Sequence, residues 1–192
     1  MPAVVVGITG ASGAIFGIRV LERLAELEAE THLVVTRWGR VNIEQETDYT
    51  FAQVLGLADF TYGESEQGAA ISSGSFLTAG MVIAPCSMKT LASIAHGTGS
   101  NLVCRAADVT LKERRPLVLV PRETPLHSIH LRNMLLLADA GATIAPPMPA
   151  FYNRPESLDD MVEHLTVRIL DQLSLHADWR GRWAGLDHKE RD

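Results

Sequence analysis

Cysteine is scarce in this sequence: among 192 residues only Cys86 and Cys104 occur. Two cysteines supply no disulfide framework, so we expect a reducing, cytoplasmic setting. Basic charge is not in excess either, since 17 Lys and Arg face 23 Asp and Glu for a formal net charge of −6. That balance argues against nucleic-acid binding. No apolar run approaches the roughly 20 residues that span a bilayer, and the first residues lack the basic region of a signal peptide. We therefore expect neither a nucleic-acid nor a membrane partner.

Hydrophobic residues make up 46% of the chain, enough for the core of one domain. Apolar, strand-like runs alternate with helical patterns and cover residues 3–8, 32–36, 80–84, 116–120 and 142–145. This alternation predicts a single α/β domain with a Rossmann-like or flavodoxin-like parallel sheet and helices on both faces. We expect the domain over residues 1–175 and a C-terminal tail over 176–192. Ligands of such sheets bind beyond the carboxyl ends of the strands, so the segments after the strands should carry the chemistry.

The last helical pattern covers residues 156–174. Its predicted apolar side comprises Leu158, Met161, Val162, Leu165, Ile169 and Leu173. Arg168 lies within this pattern, where a solvated residue is the ordinary interpretation.

A glycine-rich turn, Gly-Ile-Thr-Gly-Ala-Ser-Gly over residues 7–13, separates the first apolar run from a helical pattern. Such a turn favours phosphate binding, because the helix N-terminus offers unpaired N–H groups and partial positive charge. The spacing G-x-x-G-x-x-G differs from the dinucleotide fingerprint G-x-G-x-x-G and lacks the Lys-Ser/Thr ending of a P-loop. It therefore favours a mononucleotide, with a tight turn that binds nothing as the alternative.

Residues 85–90, Pro-Cys-Ser-Met-Lys-Thr, follow another apolar run and open a helix. Ser87 is a natural N-cap, and the hydroxyls of Ser87 and Thr90 can reach a phosphate or a ring edge at that helix end. A purely structural N-cap explains the pattern equally well. We expect Cys86 to be a small buried side chain rather than a nucleophile.

Arginine and lysine concentrate in residues 105–132 of an otherwise acidic chain, which indicates a focused anion site. Arg122 directly follows an apolar run and stands beside Glu123. An Arg there can clamp a phosphate while the carboxylate handles a proton. His127 and His130 have no third ligand nearby, so we expect no metal site.

The loop Pro-Pro-Met-Pro-Ala-Phe-Tyr over residues 146–152 follows the last apolar run. Its apolar groups and phenol suit a pocket wall for a flat ring or a hydrocarbon chain. A structural crossover explains its composition equally well.

Taken together, these motifs resemble the flavin prenyltransferase family of UbiX-type enzymes, including the small subunit associated with hydroxyarylic acid decarboxylases. The resemblance extends over nearly the whole chain, on residues 7–13, 72–76, 80–90, 105–108, 118–125, 129–134 and 146–152. The tail Arg-Trp-Ala-Gly-Leu at 182–186 is similar to the decarboxylase-associated branch.

The resemblance implies a metal-independent prenyltransferase. Such an enzyme joins the dimethylallyl group of dimethylallyl phosphate to N5 and C6 of reduced FMN. The product, prenylated FMN, would serve a UbiD-type decarboxylase. The resemblance also implies a homo-oligomer, a dodecamer built from trimers, with FMN at subunit interfaces.

The resemblance further implies roles for individual residues. The residues expected to contact FMN are Gly10, Ala11, Ser12, Thr36, Ser87, Met88, Lys89, Thr90 and Arg122. Those expected to hold the prenyl phosphate are Lys112, Arg122, Tyr152 and Arg168. Glu123 is expected to transfer a proton during ring closure, with Glu46 and Ser12 assisting near N5 and the leaving phosphate. Thr36 replaces a frequent Ser of the family but keeps the hydroxyl.

Two other functions stay open at this point. One is a non-catalytic FMN carrier or assembly subunit of an aromatic acid decarboxylase, which needs much the same pocket. The other is an FMN-dependent cysteine decarboxylase. It is disfavoured by the loop Pro147-Met148-Pro149, which lacks the expected Asn, and by the absence of His from residues 33–95. The sequence also leaves open the partner decarboxylase, its aromatic acid, and the choice between a monophosphate and a diphosphate donor.

Overall fold

A six-stranded parallel sheet forms the centre of the protein. The computed structural model describes residues 2–179, 181–183 and 185. Its strands are β1 (Ala3–Ile8), β2 (Glu30–Val35), β3 (Phe60–Gly63), β4 (Gly80–Cys86), β5 (Leu117–Pro121) and β6 (Thr143–Ile144). Their order, β3-β2-β1-β4-β5-β6, is that of a doubly wound Rossmann sheet, whose topological switch point lies between β1 and β4.

Helices cover both faces of this sheet. The helices are α1 (Ala14–Glu26), α2 (Arg37–Glu46), α3 (Phe51–Leu55), α4 (Met88–Ala95), α5 (Leu102–Lys112), α6 (Ser128–Asp139) and α7 (Leu158–Asp171), with a 3₁₀ turn at Ala70–Ser72. The predicted α/β fold, a Rossmann-like or flavodoxin-like parallel sheet with helices on both faces, is confirmed. Within the described residues, no helix combines the length and the apolar character that crossing a membrane requires.

Two apolar layers separate the sheet from its helices. On one face Val4, Val6 and Ile8 of β1 pack with residues of α1 and α7. On the other face Val5 packs with residues of β4, α4 and α5. Because β1 is buried on both faces, its sequence is apolar throughout rather than alternating.

Helix α7 departs from the sequence prediction. It is shorter than the predicted 156–174, and its predicted apolar side is partly wrong. Leu158 is 81% exposed, whereas Glu163 and His164 are buried. Burial of Glu163 is possible because Arg23 of α1 pairs with it, with 2.7 Å between Arg23 Nη2 and Glu163 Oε1.

The predicted C-terminal tail folds back on α7 where it is described. Ala177 is buried, and the indole of Trp179 stacks on the ring of His164 with centroids 4.9 Å apart. Arg180, Ala184 and residues 186–192, which include the end of the predicted 182–186 motif, lie outside the described residues. The division into a domain over 1–175 and a tail over 176–192 stays a prediction.

Candidate functional site

The turn after β1 is tied to the end of β4, directly at the switch point of the sheet. The hydroxyl of Thr9 donates to the carbonyl of Pro85 at 2.7 Å and accepts the backbone N–H of Ser87 at 2.8 Å. The turn then enters α1 through Gly13, whose φ of 104° favours glycine. These contacts hold two predicted site segments, the glycine-rich turn and residues 85–90, side by side.

A carboxylate from α2 caps the first turn of α1. Glu46 Oε2 accepts the backbone N–H groups of Gly13 at 2.7 Å and Ala14 at 3.2 Å. The amide of Asn42 donates to the carbonyl of Ala11 at 2.7 Å. The glycine-rich turn predicts that the N–H groups at this helix N-terminus bind a phosphate. Two of them, those of Gly13 and Ala14, are instead hydrogen-bonded to a side chain of the protein itself.

The start of α4 has the predicted capping arrangement. Ser87 Oγ accepts the backbone N–H of Thr90 at 3.3 Å and donates to Thr90 Oγ1 at 3.0 Å. Because Ser87 Oγ donates its single proton to Thr90 Oγ1, the Thr90 hydroxyl keeps its own proton for another acceptor.

The start of α2 is built in a similar way. Thr36 Oγ1 accepts the backbone N–H of Gly39 at 3.2 Å. A Cβ atom at Gly39 would come within 2.5 Å of the Ile8 carbonyl oxygen, so only glycine lets α2 lie this close to the end of β1. The N-terminus of α2 is therefore brought beside the same switch point.

A cavity of about 370 Å³ lies where these helix starts converge. It is lined by Gly10, Thr36, Arg37, Trp38, Glu64, Ser87, Lys89, Thr90, Ser93, Ser100, Asn101 and Cys104. Five of these were predicted as flavin contacts: Gly10, Thr36, Ser87, Lys89 and Thr90. Its volume falls within the roughly 300–1,000 Å³ of small-molecule sites.

The remaining lining residues were not predicted as flavin contacts. Arg37 belongs to a segment after a strand, residues 36–37, that the sequence predicts to carry chemistry, and Trp38 directly follows it. Asn101 is the N-cap of α5 and accepts the backbone N–H of Cys104 at 3.0 Å. It carries a capping signal, but nothing in the sequence places it at this cavity.

The cavity has the charges and donors that an anionic, ring-bearing ligand needs. Arg37 and Lys89 line it, and within the described part of the chain neither forms an ion pair. Thr90 offers a hydroxyl proton at a helix N-terminus, which favours a phosphate. The indole of Trp38 is 66% exposed and offers an apolar surface to a flat ring. These residues fit FMN.

Arg122 and Glu123 follow β5 and are both exposed. Glu123 Oε1 accepts the backbone N–H of Thr124 at 3.1 Å. They lie after a neighbouring strand at the same sheet edge as the cavity, but they do not line it. Ala11, Ser12 and Met88 likewise do not line it, although Ala11 directly follows the lining residue Gly10 and Met88 lies between Ser87 and Lys89.

The predicted phosphate-holding residues lie in three places: Arg122 after β5, Tyr152 and Arg168 at α7, and Lys112 at the end of α5. Tyr152, half-exposed, lies against α7, where its hydroxyl is 3.0 Å from His164 Nε2. Arg168 stands one helical turn after His164 and pairs with Asp171, so α7 brings Tyr152 and Arg168 to one region.

Lys112 ends α5, at the edge of the sheet where β5 begins, and it pairs with Glu113. One chain therefore does not bring Lys112 to the edge that carries Arg122. A complete set of the four predicted residues, Lys112 included, would need residues from more than one copy of the chain.

A second, apolar groove of about 560 Å³ runs between α1 and α7. Its lining includes Phe16, Leu158, Met161 and Leu165, which explains the apolar pattern of α7 that the core does not use. Glu46 borders this groove as well as capping α1. It thus stands between the glycine-rich turn and the groove.

Cys86 is fully buried, and burial raises the pKa of its thiol well above the ordinary value. It is therefore a poor nucleophile, as expected from the sequence.

Among the residues that the structure describes, no three His, Cys, Asp or Glu side chains are arranged to hold a metal ion. The rings of His127 and His130 stack on each other with centroids 3.6 Å apart.

The doubly wound sheet and the polar cavity at its switch point define a nucleotide-binding α/β protein of the flavoprotein type. Residues 1–169 match the family described as Flavoprotein. The chain is 61% identical to a probable UbiX-like flavin prenyltransferase of Streptomyces sp. (strain D7) over 95% of this chain and 92% of that one.

Two solved structures share the fold closely. One is the dodecameric FMN-dependent UbiX-like decarboxylase from Escherichia coli O157:H7, with a TM-score of 0.93, 53% identity, and coverage of 95% of this chain and 100% of that one. The other is AnUbiX (PadA1) in complex with FMN and dimethylallyl pyrophosphate, with a TM-score of 0.93, 48% identity, and coverage of 97% and 99%. The chain belongs to the UbiX-like flavin prenyltransferase family, and the resemblance seen in its sequence is confirmed.

Proposed function

We propose that this protein is a flavin prenyltransferase that joins a dimethylallyl group from dimethylallyl phosphate to N5 and C6 of reduced FMN. The observation that carries the proposal is the cavity at the switch point, which collects Gly10, Thr36, Ser87, Lys89 and Thr90. These five residues are among those that the sequence resemblance predicts to contact FMN. The family membership and the FMN named for two close structural relatives support the same ligand.

The residues around the cavity have different roles in binding FMN, which follow from their side-chain chemistry. The hydroxyl protons of Thr36 and Thr90 and the charge of Lys89 bind FMN at two helix N-termini. Ser87 contacts FMN and leaves the Thr90 proton free by donating its own proton to Thr90. Ala11, Ser12 and Met88 complete the flavin contacts from the adjacent turns. When bound, reduced FMN supplies two nucleophilic atoms, N5 and C6.

The donor needs fixed positive charge where its phosphate leaves. Lys112, Arg122 and Arg168 supply three cationic groups and Tyr152 a phenol, a set that suits one phosphate dianion. Glu123 transfers a proton when the ring closes: C6 loses a proton as it bonds to the dimethylallyl group, and the alkene carbon next to the new bond gains one. Glu46 and Ser12 assist near N5 and the leaving phosphate.

Assembly of several copies would complete the donor set. Helix α6 carries Ile129, Leu131, Leu135 and Leu136, each at least half-exposed, and an apolar patch of this kind supports an interface. The E. coli relative is described as dodecameric. We propose a homo-oligomer, a dodecamer, in which a neighbouring copy provides Lys112.

The proposal extends to the setting of the reaction. A UbiD-type decarboxylase would receive the product, and the scarcity of cysteine supports a cytoplasmic location. Dimethylallyl pyrophosphate, named in the AnUbiX complex, is the alternative donor.

The decisive experiment is turnover. The FMN-loaded protein is reduced under anaerobic conditions and mixed with dimethylallyl phosphate or dimethylallyl pyrophosphate, and the released flavin is measured by mass spectrometry. The proposal expects flavin that has gained one dimethylallyl group. Recovery of unmodified FMN with both donors would refute the proposal and favour the carrier function.

A further inference from the structure

The phenol of Tyr152 is held by a buried histidine that the predicted site does not include. His164 lies in the middle of α7 and is only 5% exposed. Its Nε2 stands 3.0 Å from the hydroxyl of Tyr152, and the two rings meet edge to face at 5.6 Å. The other side of the imidazole stacks on Trp179, so the histidine ring is fixed from two directions.

The direction of this hydrogen bond decides what Tyr152 can do. If the phenol donates to His164, its only proton is spent, and the oxygen can merely accept. A phosphate oxygen also only accepts, so it would gain nothing from such a phenol. If instead His164 donates through Nε2–H, the O–H of Tyr152 is free to bind a phosphate.

The surroundings of His164 favour the second direction. Among the described residues nothing accepts a proton from His164 Nδ1, whereas Nε2 has the phenol oxygen as a partner. Burial lowers the pKa of His164, and the charge of Arg168 lowers it further. The ring is therefore neutral near pH 7, and its single N–H is best placed on Nε2, where it has an acceptor.

We infer that His164 is a positioning residue that donates a hydrogen bond to Tyr152 and so directs the phenol O–H toward the phosphate of the prenyl donor. This inference rests on the proposed function, because it takes Tyr152 to be part of the donor site. It adds a residue that touches neither flavin nor donor but sets the donor affinity through Tyr152.

Two variants separate the hydrogen bond from the packing. His164→Phe keeps a flat ring against Trp179 but removes the N–H. His164→Gln loses the stacking but keeps an N–H donor near the position of Nε2. Tyr152→Phe and the double variant His164→Phe/Tyr152→Phe complete a double-mutant cycle.

Initial rates are measured with saturating reduced FMN and varied dimethylallyl phosphate. A lost hydrogen bond to a charged group corresponds to a rise in the donor KM of about 10- to 150-fold for His164→Phe. We expect the donor KM of the double variant to be no higher than that of Tyr152→Phe alone. The donor KM of His164→Gln should stay within about threefold of the parent value. The affinity for FMN should be unchanged in all four variants.

The outcomes distinguish the inference from the proposed function. If the parent forms no prenylated flavin, the proposed function fails and the inference fails with it. Two results with an active parent would refute the inference alone. One is a double variant whose rise in donor KM equals the product of the rises in the two single variants. The other is a donor KM of His164→Phe that equals the parent value. A loss in His164→Gln equal to that in His164→Phe, with FMN binding intact, would also refute it, since packing rather than the N–H would then matter.

Discussion

Replacing Ser87 and Thr90 by Val tests whether the start of α4 binds the flavin. In the free protein the two hydroxyls form a chain, in which Ser87 donates to Thr90 at 3.0 Å and Thr90 keeps its own proton. Thr90 is buried and lines the cavity. Valine retains the shape of threonine but removes the donor, so the double variant leaves an anionic ligand without the Thr90 hydroxyl proton and without the Ser87 contact that keeps this proton free.

The magnitude follows from the number and kind of bonds lost. Hydrogen bonds in a buried site, one or more of them to a charged group, are together worth about 1–3 kcal/mol. FMN should therefore bind about 5- to 150-fold more weakly. Separately, loss of the Ser87 N-cap should cost about 1 kcal/mol of stability, because the N–H of Thr90 loses its acceptor.

Ser157→Ala is a matched control for the stability effect. Ser157 is also an N-cap serine, accepting the N–H of Asp160 at 3.1 Å at the start of α7, and it does not line the cavity. It should lose comparable stability in thermal unfolding but keep FMN affinity in a fluorescence titration. Unchanged affinity in the double valine variant, or an equal affinity loss in Ser157→Ala, would remove Ser87 and Thr90 from the flavin site.

Three further predictions concern the donor site, the assembly and acid stability. Arg168→Ala should keep FMN, seen as intact flavin absorbance, but lose most prenylation by mass spectrometry; turnover like the parent at low donor concentration would mean that Arg168 is merely a solvated helix residue. Light scattering should give a homo-oligomer, and a stable monomer with bound FMN would contradict the proposed assembly. Arg182 and His176 bind Asp171 and lower its pKa to about 2 from 3.8, so this carboxylate adds about 2 kcal/mol of stability that is present above about pH 4 and lost as the pH falls toward 2. Between about pH 4 and pH 2, Arg182→Ala should lose less stability than the parent in acid unfolding, because its Asp171 pKa is closer to the ordinary value. An identical dependence of stability on pH would show that Arg182 does not lower the pKa of Asp171.

The sheet was predictable because most of its strands are buried on both faces and read as apolar runs. Strand β3 was missed for the opposite reason: Phe60–Gly63 is a four-residue strand at the sheet edge, and Phe60 is largely exposed. Such a strand is defined by its pairing with β2, which no local pattern shows.

Helix α7 shows how a partner overrides a local pattern. Its apolar stripe predicted a buried side through Leu158 and Leu165, yet these residues border a surface groove. The side that faces the core includes Glu163, whose burial the ion pair with Arg23 of α1 makes tolerable. Because Arg23 is distant in sequence, periodicity within α7 alone could not reveal the arrangement.

The candidate site also contains residues that the local sequence predicts and a residue that it does not. Gly10, Thr36 and Ser87 were predictable, since each follows the carboxyl end of a parallel strand, and two of these strands, β1 and β4, border the switch point. Lys112 was assigned by resemblance alone, and its place at the other edge of the sheet could not be read from spacing. Its predicted role depends on a second copy of the chain, which the sequence of one copy does not position.

The cap that Glu46 provides on α1 has a consequence for which ligands the turn can accept. The carboxylate is covalently part of the chain and stays near Gly13 and Ala14, so its effective concentration there is of the order of millimolar or higher. A dinucleotide would need those same N–H groups for its pyrophosphate and would have to displace this tethered competitor against like charge. The fold therefore disfavours binding of an NAD-type dinucleotide at this turn, and the N-termini of α2 and α4 are where we propose that a single phosphate binds.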